Sequence, residues 1–376
     1  MHYQFPAIRH IDDVLPHIEG RSEFIVAERD FGTVVNYVVA MADTFDMNGP
    51  EDLGAAIRRE CRGIIFDLDG KIMSRPFHKF FNVNERDETQ IRNIDMSSPH
   101  VIMEKMDGSM VRPIFDKDGV IRLATKMGIT DIAIEAEKLL SESHYEWLEY
   151  VMSAGMTPLF EYVAPTNKIV IDYDEAKLVL LALRINITGA YLPMNIENIP
   201  FEVVRQYGSV DGSFSEYIER ARENVGREGD IIRFDTGHML KIKNDWYVRI
   251  HKTKDMIRYD RNLADIIINE QIDDVISLLD ESDVNIVRDY EVRFDAAFNN
   301  VLGRLEGLVL LAKTVYESDK KNVALNFVPS LLQKGDASFI FAALDGKDLR
   351  ELLIRKIKGS LSTNAKYDDL IAWMEA

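Results

Sequence analysis

The chain has 376 residues, 46% hydrophobic and 29% charged, with a formal net charge of −18. That length suggests two or three domains, and the composition is globular rather than disordered. The acidic balance excludes a surface coated in non-specific nucleic-acid contacts, but not a local basic groove. A single cysteine, Cys61, excludes an internal disulfide and a cysteine-based zinc site and points to a reducing compartment. Cys61 itself reads as a small buried hydrophobe rather than a nucleophile. The opening "MHYQFPAIRHIDDVLPHIEG" lacks the basic and apolar regions of a signal peptide, and no run approaches the ~18 apolar residues of a membrane span. The expectation is a cytoplasmic protein with no membrane partner.

From residue 23 to about 250 the apolar residues come in short runs of strand length: "FGTVVNYVVAM", "RGIIFDLDGKIM", "SMVRPIFDKDGVIRLAT", "PLFEYV", "KLVLLALRI" and "GDIIRFDTGHMLKIK". Asp69-Gly70, Asp118-Gly119, Thr188-Gly189 and Thr236-Gly237 separate them as turn formers. Asp107-Gly108, flanked by apolar residues in "VIMEKMDGSMVRPIF", carries a hairpin signal of the same kind. Among the strands, "TDIAIEAEKLLSESHYEWLEYVMSAG" has helical periodicity and a C-cap at Gly155. This half reads as α+β with antiparallel sheets. From about residue 251 the spacing turns helical in "LADIIINEQIDDVISLLDES", "VRFDAAFNNVLGRLEGLVLLAKTVYES", "ASFIFAALDG" and "KDLRELLIRKI". The expected division is therefore 1–250 and an all-helical 251–376.

The sequence has no phosphate-binding P-loop, dinucleotide fingerprint, His-Glu-x-x-His or Gly-x-Ser-x-Gly. What remains is a repeated theme, a charged residue at the mouth of an apolar strand. Glu60 and Arg62 stand in "ECRGIIF", Arg75, Lys79 and Asn82 in "SRPFHKFFN", and Lys105, Asp107 and Ser109 in "EKMDGS". Glu161 follows in "FEYV", Glu228 in "EGDIIRF", and Lys241 and Lys243 share one strand face in "LKIK". Residues 239–258 carry six Lys or Arg against two Asp, a local +4 interleaved with Trp246 and Tyr247. Such interleaving suits phosphate and base contacts, although a solvated face is the plain alternative. One candidate nucleophile, several carboxylates and several fixed cations are what phosphoryl or nucleotidyl transfer requires.

"KMDGS" resembles the first motif of the covalent nucleotidyltransferases, which include DNA ligases, RNA ligases and mRNA capping enzymes. "ECRGIIF", "SRPFHKFFN", "FEYVAPTNKIVIDY" and "LKIKNDWYV" narrow the likeness to the RNA ligase 1 family of T-even-type bacteriophages. It covers residues 30–260 well and thins in the helical region. The resemblance implies a nucleotidyltransferase domain in which Lys105 forms a lysyl-AMP intermediate with ATP. It implies that Asp107, Glu161 and Glu228 serve the Mg2+ (or Mn2+) water shell and the ribose. Arg62, Lys79, Lys241 and Lys243 would meet phosphates, Lys126 of "TKMG" would be a further basic contact, and Tyr37 an aromatic near the nucleotide. Tyr247 matches a position tied to sealing, and Asp273 of "QIDDV" is a further metal candidate, with a helix-start acidic pair as its plain reading.

The implied reaction joins the 5'-phosphate and 3'-hydroxyl ends of single-stranded RNA or tRNA, by a monomer, in the host cytoplasm if phage-encoded. A DNA ligase, a capping-type nucleotidyltransferase, or an inactive RNA-end-binding protein are the alternatives. A lysine nucleophile must attack as the neutral amine, and an ordinary pKa of ~10.4 leaves about one in a thousand neutral near pH 7.4. Closing that gap takes roughly 4 kcal/mol, for which desolvation and a nearby cation are the expected sources.

Overall fold

A computed structural model describes residues 4–49, 51–193 and 198–375. The chain folds as two compact units, Met1–Val248 and Arg249–Ala376.

Among the described residues the first unit holds fourteen strands: β1 (Phe24–Arg29), β2 (Gly32–Tyr37), β3 (Arg62–Phe66), β4 (Ile72–Ser74), β5 (Phe81–Asn82), β6 (His100–Lys105) and β7 (Ser109–Phe115) in its first half. There follow β8 (Ile121–Ala124), β9 (Met156–Val163), β10 (Lys177–Ile185), β11 (Tyr191–Leu192), β12 (Glu202–Val203), β13 (Gly229–Phe234) and β14 (Met239–Lys243). They form three sheets, ordered β1-β2-β3-β4, β11-β10-β9-β7-β8 with β12 beside β10, and β5-β14-β13-β6. The pairings are antiparallel except β12 on β10 and β5 on β14, so the expected α+β class with antiparallel sheets holds.

The expected hairpin between β7 and β8 is present, with Phe115 opposite Ile121. Asp107-Gly108 is not a hairpin. β6 pairs with β13 while β7 pairs with β8 and β9, so the chain crosses there from one sheet to another. Gly108 is needed for closeness rather than for a turn, since a Cβ on it would stand 2.4 Å from the Tyr162 carbonyl oxygen. The sheets containing β6 and β10 meet through Met103, Val179 and Val204, with Leu181 and Ile231 packed beside them. That meeting of apolar faces builds the cleft described below.

The helices α1 (Leu53–Glu60), α2 (Asp131–Glu137), α3 (Glu142–Ser153) and α4 (Phe214–Glu223) dress the sheets. The periodic stretch read from 130 to 155 is two helices rather than one, because Ser141 caps α3 and restarts the chain there. Cys61 is fully buried and its thiol is pushed up by burial, as a small core residue.

The unit division falls within α5 (Asp245–Ile257). The second unit contains α6 (Asp260–Ile268), α7 (Ile272–Ile276), α8 (Glu281–Thr314), α9 (Lys320–Asn322), α10 (Ala337–Leu344), α11 (Leu349–Ser360) and α12 (Asn364–Glu375). Along α8, Val287, Tyr290, Phe294, Phe298, Val301, Leu305, Val309 and Ala312 are buried, a three-and-four spacing that keeps one stripe on the core. Asp280 caps α8 through the Asp283 amide, starting the helix well before the apolar spacing becomes visible. Glu270 adopts a left-handed φ of 58° and divides α6 from α7. Among the described residues no helix is long and apolar enough to cross a membrane.

Candidate active site

Lys105 is the last residue of β6, opposite Gly229 at the start of β13, and Gly229 stands opposite Lys243 on β14. This register sets Glu228, one residue before β13, between two lysines. Its Oε2 lies 2.6 Å from Lys105 Nζ and its Oε1 2.9 Å from Lys243 Nζ. Glu228 is buried, so each of its oxygens has a cation partner.

Beside this trio opens a cavity of about 290 Å3 lined by Arg62, Lys105, Glu161 and Lys241, with Phe77, Phe80, Met103, Leu181, Ile231 and Met239 as its apolar walls. An apolar chamber with a few converging charges is the usual form of a small-molecule site. Burial, followed by the charges of Arg62, Lys79 and Lys105, pulls the Lys241 amine down to about 7. Desolvation pushes the Glu161 carboxyl up to about 8, with Glu228 and Asp107 adding to it against Lys105. The cavity thus holds a cation-poor carboxyl and a lysine short of anions.

These shifts predict how binding of a phosphate-bearing ligand in this cavity would respond to pH. Free Lys241 is half neutral near pH 7, and bound phosphates favour its ammonium, raising its pKa in the complex. Affinity is then greatest below about pH 7 and falls by up to tenfold per pH unit as pH climbs towards the pKa of the complex. Calorimetry with such a ligand at pH 7, in two buffers of different ionisation enthalpy, should show about half a proton taken up per ligand bound, and none with Lys241→Arg.

Asp107 stands outside the cavity lining. It is buried, and its Oδ2 accepts the Val170 and Ile171 amides, both at 2.8 Å. Its Oδ1 accepts the Tyr247 hydroxyl at 2.6 Å, while its own amide donates to the Tyr173 hydroxyl. The carboxylate therefore anchors the crossover after Lys105 to a distant loop and to α5, and it does not line the cavity. Tyr247, one of the two aromatics interleaved with the cations of 239–258, is buried against it. Lys254 of that run is likewise bound to Asp280 and Asp283. Removing the hydroxyl in Tyr247→Phe should cost roughly 1.5–3 kcal/mol, as for a hydrogen bond to a charged group, measurable by denaturant unfolding.

The other candidates scatter. Lys79 places its ammonium 5.5, 5.5 and 5.3 Å from the ring centroids of Tyr37, Phe45 and Phe81, a cation–π cage in which Tyr37 is a wall. Arg62 donates to the His78 carbonyl and lines the cavity. Lys126 is exposed in the turn after β8 and lies outside the cavity lining. Asp273 belongs to the second unit, highly exposed in the first turn of α7, 3.7 Å from Arg288.

Among the described residues no three His, Cys, Asp or Glu side chains converge as a ligand set. The site's chemistry still suits a hydrated cation held through water, because a cation beside Glu161 would favour the ionised carboxylate that burial disfavours. Sequence reasoning missed the apolar walls Phe77, Leu181 and Ile231, and also Val170, Ile171 and Tyr173. The last three lie inside the quoted "FEYVAPTNKIVIDY", but which of its groups would face Asp107 is set by a loop.

Residues 60–247 match the model of a family described as RNA ligase. A putative RNA ligase from Thermovibrio ammonificans is 31% identical over 282 residues, covering 71% of each chain. RNA ligase 1 of bacteriophage TS2126 is 28% identical over 230 residues, covering 58% of this chain and 56% of its own. Among solved structures, an archaeal ATP-dependent RNA ligase matches with a TM-score of 0.47 and 16% identity, over 79% of this chain and 78% of that one.

Proposed function

The chain belongs to the RNA ligase family, and on that premise we propose that it is an ATP-dependent RNA ligase joining 5'-phosphate to 3'-hydroxyl ends, with Lys105 as nucleophile. The observation that carries this reading is the Lys105–Glu228–Lys243 trio at the mouth of an apolar cavity that also holds Arg62 and Lys241. We assign ATP to that cavity, its base among Met103, Leu181, Ile231 and the Phe77 and Phe80 rings.

In the first step Lys105 Nζ forms a P–N bond to the α-phosphorus, the bond to the β-phosphate oxygen breaks, and pyrophosphate leaves. The amine must first shed its proton, for which Glu228 Oε2 is an acceptor at 2.6 Å. Arg62, Lys241 and Lys243 are fixed before the charge develops, so little reorganisation is needed as it moves. Mg2+ or Mn2+, when bound, supplies further positive charge to the phosphates, with Glu161 and Glu228 as the residues that would hold its water shell. AMP then passes to the RNA 5'-phosphate as a pyrophosphate-linked cap, and a 3'-hydroxyl attacks that end and releases AMP. The same proposal places this chemistry in the first unit. It includes broken tRNA as the natural substrate, single-stranded ends generally, action as a monomer, and a place in the host cytoplasm.

Sealing of a 5'-phosphorylated oligoribonucleotide tests the assignment. ATP should support circularisation or joining, GTP should not, and nicked duplex DNA should be a poor substrate. Equal activity with GTP, or sealing confined to nicked DNA, would move the protein to the capping or DNA-ligase reading.

A further inference from the structure

Five arginines of the first unit are buried, and four are saturated. Arg59 bonds the Phe45 carbonyl and Glu88, and Arg75 and Arg184 bond Glu60 and main-chain carbonyls. Arg112 bonds Ser74, Thr125 and Gly63. Arg233 is the exception. It is only 9% exposed, and among the described residues its guanidinium meets no hydrogen-bond acceptor or ion-pair partner, with Nη1 fully enclosed. A buried cationic donor left this way is costly unless something outside the chain completes it.

Arg233 lines an open cavity of about 510 Å3 together with Tyr191, Gln206, Asp235, Thr236 and Gly237. The register fixes where that cavity lies. On β13, Gly229, Ile231 and Arg233 share one face and stand opposite Lys105, Met103 and Val101 of β6. Ile231, Met103 and Met239, the last opposite Arg233 on β14, all line the Lys105 cavity. Arg233 therefore emerges on the nucleophile's face, four residues or ~13 Å farther along the strand. The two cavities share an aromatic wall: Phe77 lines one, Tyr191 lines the other, and their rings stack at 5.7 Å.

We propose that Arg233 is a phosphate-binding residue for the RNA strand, taking a backbone phosphodiester a few nucleotides from the end held at Lys105. This rests on the RNA ligase reading for the identity of the strand. Arg62, Lys241 and Lys243 already stand around Lys105 for the nucleotide's own phosphates, whereas Arg233 lies beyond the Phe77–Tyr191 wall. A guanidinium presents a planar fork that matches phosphate oxygens in pairs. Asp235 and Tyr191 in the same cavity act on its charge without a hydrogen bond or an ion pair to it, so the guanidinium keeps donors for a ligand. Burial holds the Arg233 pKa below its ordinary value, which a phosphate would relieve.

The test is binding of a fluorescent 5'-phosphorylated oligoribonucleotide by the full chain, read by anisotropy over a salt series, for wild type, Arg233→Met and Arg233→Lys. Arg233→Met is expected to weaken binding about tenfold and to flatten the log–log salt dependence by about 0.7, the value of one single-strand phosphate contact. Arg233→Lys should restore the salt slope but only part of the affinity. Melting temperature should hold or rise in Arg233→Met, because a buried charge with no hydrogen bond or ion pair has been removed. Unchanged RNA affinity and slope would overturn the proposal. So would a fall in melting temperature that accounts for the weaker binding, or a loss confined to ATP binding, which would make Arg233 a nucleotide residue. Binding needs no chemistry, so a wild type that binds RNA through Arg233 yet forms no covalent adenylate would sink the ligase reading and leave this one standing.

Discussion

Lys105→Ala is expected to abolish the covalent protein–AMP adduct, by on the order of 10^4-fold or more, while RNA that already carries a 5'-linked AMP is still sealed. The split follows from what Lys105 does and does not support. Its side chain is 22% exposed and its ion-pair partner among the described residues is Glu228, which keeps Lys243 at 2.9 Å when Lys105 is gone. The fold at the mouth of the cavity is therefore retained, and the later steps, which need bound AMP but no new P–N bond, retain their cations. Gel analysis with α-labelled ATP reads the first step, and ligation of chemically pre-adenylated oligonucleotide reads the last. Loss of both would mean that Lys105 organises the site as a whole. Retention of the adduct would remove it as the nucleophile.

Glu60→Gln is expected to destabilise the first unit by roughly 3–5 kcal/mol, the cost of breaking a buried ion network from one side. Glu60, Arg75 and Arg184 have fully buried side chains. Glu60 Oε2 accepts Arg184 Nη1 at 2.7 Å and Arg75 Nε at 3.1 Å, and its Oε1 accepts Arg184 Nη2 at 2.8 Å. Burial alone would raise the Glu60 carboxyl, but Arg184 and then Arg75 outweigh it and hold the pKa below its ordinary value. The contribution is in place above the ordinary carboxylate range and fades only as pH falls through the depressed folded-state pKa. Glutamine keeps the shape but leaves two buried guanidiniums without their counter-charge. For a unit of this size the loss corresponds to a fall of roughly 6–20 °C in Tm, measurable by calorimetry. A change of less than about 2 °C would show that the carbonyls of Gly189, Pro76, Asn186 and Pro6 already satisfy the arginines.

Glu60 also shows where the sequence is legible and where it is not. At strand mouths Glu60, Glu161 and Glu228 look alike, each a carboxylate beside an apolar run. Their environments separate them: one locks two arginines in the core, one is pushed towards neutrality in a cavity wall, and one bridges two lysines. Alternation along β13 and β14 correctly puts Lys241 and Lys243 on one face, because side-chain direction in a strand depends on sequence parity alone. Asp107-Gly108 has the composition of a hairpin turn, yet the chain changes sheets there, since sheet membership depends on partners far away in sequence. The α8 stripe was readable from its spacing, whereas its start depends on a single aspartate cap. Arg233 was invisible as a candidate because its distinction is the lack of a partner, which only the packed interior reveals.

The atom that receives AMP identifies the nucleophile. Incubating the wild-type chain with ATP and Mg2+, followed by digestion and tandem mass spectrometry under conditions that preserve the P–N bond, locates it directly. The expected result is adenylate on Lys105 alone. Adenylate on Lys241 or Lys243, or a chain that carries none after turnover, would contradict the assignment of Lys105 and of the trio built around Glu228.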